Sequence, residues 1–355
     1  MWEMLYGAAF LAAFVGSAAF KLTYHPQGRK LQGNSGVGAI HRDLPCGPGE
    51  ANRFDLYLPA DKGRNSCGLV VYLHAGGFTS GDKRDDEGML RYLCAKGFVA
   101  AGINYTLRNE ARPEVSVYSQ SLEIRESIPA VAAAAERLGY PLDRMAVGGG
   151  SAGGCLALLY AYRDRNAAPV PVKMVFEAVG PASFHHQDWT PYGLDRSPEA
   201  AAHLFSVMSG NSITPDMIQA EAYHEAVKNI SAYRWVDERT VPTLCAYGAY
   251  DKVCPFASAG RPTRYPAAPL ARIAYSIEAL HSIADICPIV KSKLEIFLRK
   301  LPLPAPVRGM PCVFPGTPPA SPRTPPRACR HFAGHGRSVG TRYSHRAPGR
   351  PPAQQ

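Results

Sequence analysis

The chain has 355 residues, 46% of them hydrophobic and 19% charged, which is enough apolar material to bury a large core. Nine cysteines without a repeated spacing argue against a disulfide scaffold or zinc site, and the odd total favours a reducing compartment. The formal charge of +10 says little about the body of the chain, because the segment from Pro302 onward holds eight arginines and no acidic residue.

In chain order, the first feature is the apolar run Met4 to Phe20, which stops at Lys21. Its length is near the lower limit for crossing a bilayer. Glu3 and the lack of Lys or Arg ahead of the apolar stretch depart from a signal peptide, although Gly16-Ser17-Ala18-Ala19 could be cut. The expectation for residues 1–25 is a membrane anchor. Lys21, Arg29, Lys30 and Arg42 follow it, so the positive-inside rule favours a cytoplasmic body. A cleaved signal on a secreted protein and a helix packed on the protein's own surface are the alternatives.

Gly68 to Leu73 reads as a buried strand, an apolar run bounded by turn residues, and it leads into His74-Ala75-Gly76-Gly77-Phe78. Consecutive glycines after a strand leave backbone N–H groups unshielded. Glu123 to Leu138 has the apolar spacing and alanine content of a helix despite Pro129. Gly139-Tyr140-Pro141 then connects to the strand around Met145-Ala146-Val147. The next residues are Gly148-Gly149-Gly150-Ser151-Ala152-Gly153-Gly154, followed by a helix-like run from Cys155 to Tyr160. Gly149-x-Ser151-x-Gly153 between a strand and a helix has the form of a nucleophile elbow. Such a corner lifts the serine hydroxyl clear of the sheet. It also aims the next N–H, that of Ala152, at an oxyanion, with Gly76 and Gly77 as its natural partners.

Helix and strand patterns alternate from Phe54 onward, which predicts an α/β domain with a mostly parallel sheet over residues 40–301. Phe184 to Trp235 contains more helical material than a plain crossover needs, so residues 184–235 are expected to form a small helical cap. Its aromatics Phe184, Trp189 and Phe205 either line a pocket or seal the cap to the core. His185, His186 and His203 fall in this insert, and His224 sits on a helical-looking run with a surface role. Val241 to Gly248 reads as a strand, followed by Asp251, which is either a turn-former or a functional carboxylate at the sheet's carboxyl edge. Ile273 to Ile277 is a further strand, and His281 is the sole histidine between Asp251 and Leu301.

Residues 302–355, rich in Pro, Arg, Gly and Ala, are expected to be disordered. Their charge could attract nucleic acid or anionic lipid, but without stacking aromatics or a recognisable fold nucleic acid is not expected as a partner. A non-native carboxyl end is the other reading.

The His74 to Phe78 loop, Asn104-Tyr105 and the Gly148 to Gly154 elbow together resemble the α/β-hydrolase carboxylesterases. They are most similar to the branch with hormone-sensitive-lipase-like and feruloyl-esterase-like enzymes. The likeness covers roughly Phe54 to Leu301. It implies an eight-stranded, mostly parallel sheet with helices on both faces, and a serine hydrolase whose triad follows in the order Ser151, Asp251, His281. Three departures stand out: Ala75 replaces the first loop glycine, Thr106 stands where an arginine is common, and Ser282 replaces the glycine after the histidine.

The leading expectation is therefore hydrolysis of small-molecule carboxylic esters through an acyl-enzyme on Ser151. Asp251 and His281 complete the triad, and Gly76, Gly77 and Ala152 form the oxyanion hole. No cofactor and no metal are expected. A peptidase or thioesterase on the same fold, and an inactive binding protein on a hydrolase scaffold, remain as alternatives.

Overall fold

The structure, a computed structural model, describes residues 36–61 and 67–248, residues 251, 253, 254, 257 and 258, and the strand at 272–276. Eight strands form one sheet: β1 (Val37–Pro45), β2 (Arg53–Pro59), β3 (Cys67–Leu73), β4 (Val99–Ile103), β5 (Leu142–Gly150), β6 (Val172–Ala178), β7 (Thr243–Gly248) and β8 (Arg272–Ser276). Their order is β1-β2-β4-β3-β5-β6-β7-β8. The β1–β2 and β2–β4 pairs are antiparallel, and every pair from β4 to β8 is parallel.

Apolar residues fill both sides of the central strands, as a sheet covered on two faces requires. Leu69, Val71 and Leu73 of β3 enter one core, and Val70 and Tyr72 enter the other. The first core is completed by Ile124, Ile128 and Val131 of α2 (Val117–Arg137) and by α3 (Ala152–Tyr162). The second takes Met89, Leu90 and Leu93 from α1 (Glu87–Ala95). Helix α3 is buried along its whole length, consistent with its continuous apolar composition.

Helix α2 begins earlier than its apolar spacing indicates, at Val117 rather than Glu123. Ser116 caps it by accepting from the Ser119 N–H at 3.1 Å, while Ser119 Oγ accepts from the Ser116 N–H at 2.9 Å. The helix continues through Pro129, which lies on its exposed side, where water can take the carbonyl that the missing N–H leaves open.

Between β6 and β7 the chain forms α4 (Pro198–Ser209), α5 (Pro215–Gln219) and 3-10 turns at His186–Asp188, Thr190–Tyr192, Lys228–Ile230 and Ala232–Trp235. Phe184, Trp189 and Phe205 are all buried here. Phe184 stacks on Trp189 at 5.5 Å and meets Phe205 edge-on at 6.1 Å. Trp189 Nε1 donates to the Ser183 carbonyl at 3.0 Å. These aromatics seal the segment to the core. His224 departs from its sequence reading: it lies in a run of turns rather than a helix, and its side chain is only 25% exposed.

Among the described residues no helix is long and apolar enough to cross a membrane. Met4 to Phe20 and the tail from Pro302 lie outside those residues.

Candidate active site

Ser151 occupies the corner between β5 and α3 with φ 50° and ψ −118°. A non-glycine residue held at positive φ is strained and persists only where its surroundings demand it. Here the Ser151 N–H donates to Ala178 of β6 at 2.7 Å, and its carbonyl accepts from Cys155 of α3 at 3.1 Å. The side chain is buried, and Ala152 below it is 1% exposed. The corner depends on close backbone approach: a Cβ at Gly153 would fall 2.0 Å from the Leu73 carbonyl oxygen at the end of β3. That contact sets the elbow directly against the start of the His74 loop.

The loop turns sharply. Gly76 has φ 134° and Gly77 has φ 59°, and a Cβ at Gly76 would meet the Ser80 carbonyl at 1.9 Å. The Gly76 carbonyl points back into the loop and accepts from the Thr79 and Ser80 N–H groups at 3.1 and 3.0 Å and from Ser80 Oγ at 2.9 Å. Among the described residues, neither Gly76 nor Gly77 donates a backbone hydrogen bond.

Asn104 and Tyr105 brace this loop from below. Asn104 Oδ1 accepts from the Lys83 N–H at 2.7 Å, and its Nδ2 donates to Asp82 at 2.7 Å, which fixes the turn that follows the loop. The Tyr105 ring stacks on His74, and its hydroxyl donates to the His74 carbonyl at 3.0 Å. His74 is 1% exposed, and burial lowers its pKa, so the ring is held neutral. On the far side, Gln120 Nε2 donates to the carbonyls of Phe78 and Thr106, both at 2.8 Å. Thr106, where an arginine is common, is thus part of the loop's support.

Strand register carries these pieces to one edge of the sheet. Leu73 aligns with Gly149, Gly150 with Ala178, and Ala178 with Ala246 of β7. Asp251 follows β7 and is buried, its Oδ1 accepting from the N–H groups of Val253 at 2.8 Å and Cys254 at 2.9 Å. The turn-forming role of this aspartate is therefore realised. Tyr192 donates to the Val253 carbonyl at 2.9 Å, tying the helical segment to the Asp251 turn. His281 lies outside the described residues.

The sequence reading missed Glu177, the penultimate residue of β6. Fully buried, it accepts from the Gly180 N–H at 2.6 Å. A Cβ at Gly154 of α3 would come within 3.1 Å of its Oε2, so the carboxyl sits against the helix that carries Ser151. Burial raises its pKa to about 8, opposed by hydrogen bonds from Gly180, Cys245 and Tyr247 and reinforced by the nearby Asp251 charge. Burial thus favours the protonated form of the Glu177 carboxyl. A lone Glu inside the apolar run Val175-Phe176-Glu177-Ala178-Val179 was the available signal.

The profile of the BD-FAE family matches residues 54–261, more than half of the chain. No curated protein matches the sequence significantly. Among solved structures the chain is similar to esterase B from Lactobacillus rhamnosis, solved with a tributyrin phosphonate. The TM-score is 0.60 at 18% identity, covering 84% of this chain and 95% of that one. It is also similar to a thermophilic esterase from the planctomycete Thermogutta terrifontis (TM-score 0.57, 18% identity, 77% and 95% covered). A third is the Pyrobaculum calidifontis esterase (TM-score 0.52, 20% identity, 81% and 90% covered). The sheet order with two covered faces is the α/β-hydrolase fold, and the family match extends from β2 past the Asp251 turn. The chain belongs to the BD-FAE family of α/β-hydrolase esterases.

Proposed function

We propose that the chain hydrolyses small carboxylic esters through an acyl-enzyme on Ser151. The observation that carries this reading is the strained backbone of Ser151 at the β5–α3 corner, φ 50° on a residue with a Cβ. In the proposed reaction the Ser151 hydroxyl attacks the ester carbonyl, and the resulting oxyanion is met by the N–H groups of Gly76, Gly77 and Ala152. One such donor is commonly worth about 3 kcal/mol of transition-state stabilisation. His281 takes the serine proton and passes it to the leaving alcohol, and Asp251 orients the imidazole. Water then attacks the acyl-enzyme by the same route in reverse.

The segment between β6 and β7 serves in this reading as a cap over the substrate. The tributyrin phosphonate seen with the Lactobacillus esterase supports a small acyl ester as substrate class. The test is a fluorophosphonate probe together with a panel of p-nitrophenyl ester, thioester and peptidyl substrates. The native chain should be labelled and should turn over the esters best. Ser151→Ala should lose labelling and roughly 10⁶ in turnover, the scale seen when a serine protease loses its nucleophile. Full labelling of that variant overturns the assignment, and an unlabelled native chain favours the binding-protein alternative.

A further inference from the structure

Three donor side chains meet in the helical segment between β6 and β7, outside the machinery described above. His185, Glu221 and His224 each offer a ligand atom, and these atoms all lie within 4.8 Å of one another. His224 Nε2 is 3.8 Å from Glu221 Oε2. The His185 and His224 rings stack with centroids 5.1 Å apart. His185 is 9% exposed, whereas the side chains of His224 and Glu221 are 25% and 50% exposed, so the cluster has a buried floor and a wet mouth.

We propose that His185, Glu221 and His224 bind a divalent transition-metal ion, Zn²⁺ foremost, which staples the start of this segment to the turns that follow α5. Two imidazoles and a carboxylate are a donor set suited to zinc, with bonds of about 2.0–2.2 Å and a water on the open fourth position. Bonds of that length hold neighbouring donors roughly 3.4 Å apart in a tetrahedron, so the side chains must draw in by about an ångström. That contraction is within reach of rotamer adjustment at the two partly exposed ligands.

The neighbourhood is built to support it. Glu221 holds φ 51°, an uncommon backbone for a residue with a Cβ, which turns the chain sharply just before Tyr223 and His224. Buried Tyr223 fixes the adjacent His186 through its hydroxyl, 3.0 Å from both the His186 N–H and Nδ1, and His186 in turn stacks on His185 at 5.3 Å. The rings flanking the cluster are thus already positioned. His185 lies a few residues past β6, whereas Glu221 and His224 follow α5. An ion here would close a loop containing α4 and α5, the elements proposed to cap the substrate. The absence of a cysteine zinc pattern does not bear on this site, because its donors are imidazole and carboxylate.

The experiment uses the full chain without an affinity tag, stripped with chelator and titrated with Zn²⁺ alone, with thermal unfolding as readout. The expected result is one equivalent bound at this site. The midpoint should rise by about 5 °C or more once free Zn²⁺ exceeds the dissociation constant a hundredfold. His224→Gln and Glu221→Gln, both at partly exposed positions, should leave the metal-free midpoint near that of the parent. Each should weaken binding at least about tenfold. Co²⁺ substitution should give visible d–d bands without thiolate charge transfer. No midpoint shift in the parent chain, or the same shift in a chain carrying both His224→Gln and Glu221→Gln, overturns the proposal; the second outcome would assign binding to histidines elsewhere.

Discussion

Tyr105 lies flat against His74, the ring centroids 4.3 Å apart and the planes 5° from parallel, and its hydroxyl holds the His74 carbonyl at 3.0 Å. The two residues are separated by 31 positions, and their contact joins the end of β4 to the loop that leaves β3. It explains why an Asn-Tyr pair accompanies a glycine loop: Asn104 fixes the turn after the loop and Tyr105 fixes its first residue. The glycines can then be mobile in principle and fixed in practice.

Tyr105→Phe should therefore act on catalysis through the loop. It removes one hydrogen bond inside the core and should cost about 1 kcal/mol of stability. If the loop supplies the proposed oxyanion donors, turnover should fall roughly tenfold with KM little changed, because displaced donors weaken transition-state rather than ground-state binding. Tyr105→Ala should cost about 3–5 kcal/mol by leaving a cavity beneath His74. Denaturant unfolding and steady-state kinetics on the two variants separate these effects.

Glu177 predicts a pH dependence of stability. Its ordinary pKa is 4.5 and burial raises it to about 8 in the folded chain. Between those values the folded state holds a proton that the unfolded state has lost, so stability falls as pH rises and levels off above about 8. The contribution is on the order of 3–4 kcal/mol across the window. Asp86, also raised by burial, to about 7, adds a slope of the same sign. The informative quantity is thus the difference between the native chain and Glu177→Gln. Gln keeps an acceptor for the Gly180 N–H and cannot ionise, so the difference in unfolding free energy should change between pH 5 and 8. A constant difference would place the Glu177 proton elsewhere.

What could be read from the sequence follows from how local each signal is. The elbow and the His74 loop are compressed into a few adjacent residues, because a tight turn constrains its own sequence. Strands β3, β5 and β7 are visible as apolar runs, since both of their faces are buried. Helix α2 was read short because its first turns rely on Ser116 and Ser119, a cap that apolar spacing does not register. Glu177 left only the faint signal of one acid in an apolar run, and the His185–Glu221–His224 cluster left none, because it takes its meaning from residues far apart in the chain. The roles of Phe184, Trp189 and Phe205 were likewise open until their mutual contacts showed them sealing a core.

The apolar run Met4 to Phe20 carries a prediction from the sequence alone. If it inserts in a bilayer, the full chain should sediment with membranes, and a chain starting near Pro26 should be soluble and keep its esterase activity. Recovery of the full chain in the soluble fraction without detergent would remove the anchor.

Asp251 holds a turn and is also the proposed orienter of the base, and one substitution separates the two roles. Its Oδ1 accepts from the N–H groups of Val253 and Cys254, at 2.8 and 2.9 Å, and this turn is also where Tyr192 ties the helical segment down. An asparagine amide oxygen can accept the same two bonds, so Asp251→Asn preserves the turn while removing the charge. If the carboxylate serves only the turn, Asp251→Asn should be silent in both unfolding and turnover. If it also orients the base, turnover should fall by about 10⁴, as when the aspartate of a serine-protease triad is changed to asparagine, with the midpoint of unfolding little changed. Asp251→Ala should lose the turn as well, and with it about 1–3 kcal/mol for each of the two N–H groups left without an acceptor. His281→Ala completes the comparison. If the two residues act as one unit, the double variant should be no slower than His281→Ala alone. Independent, multiplying losses would separate Asp251 from the base and return it to its turn.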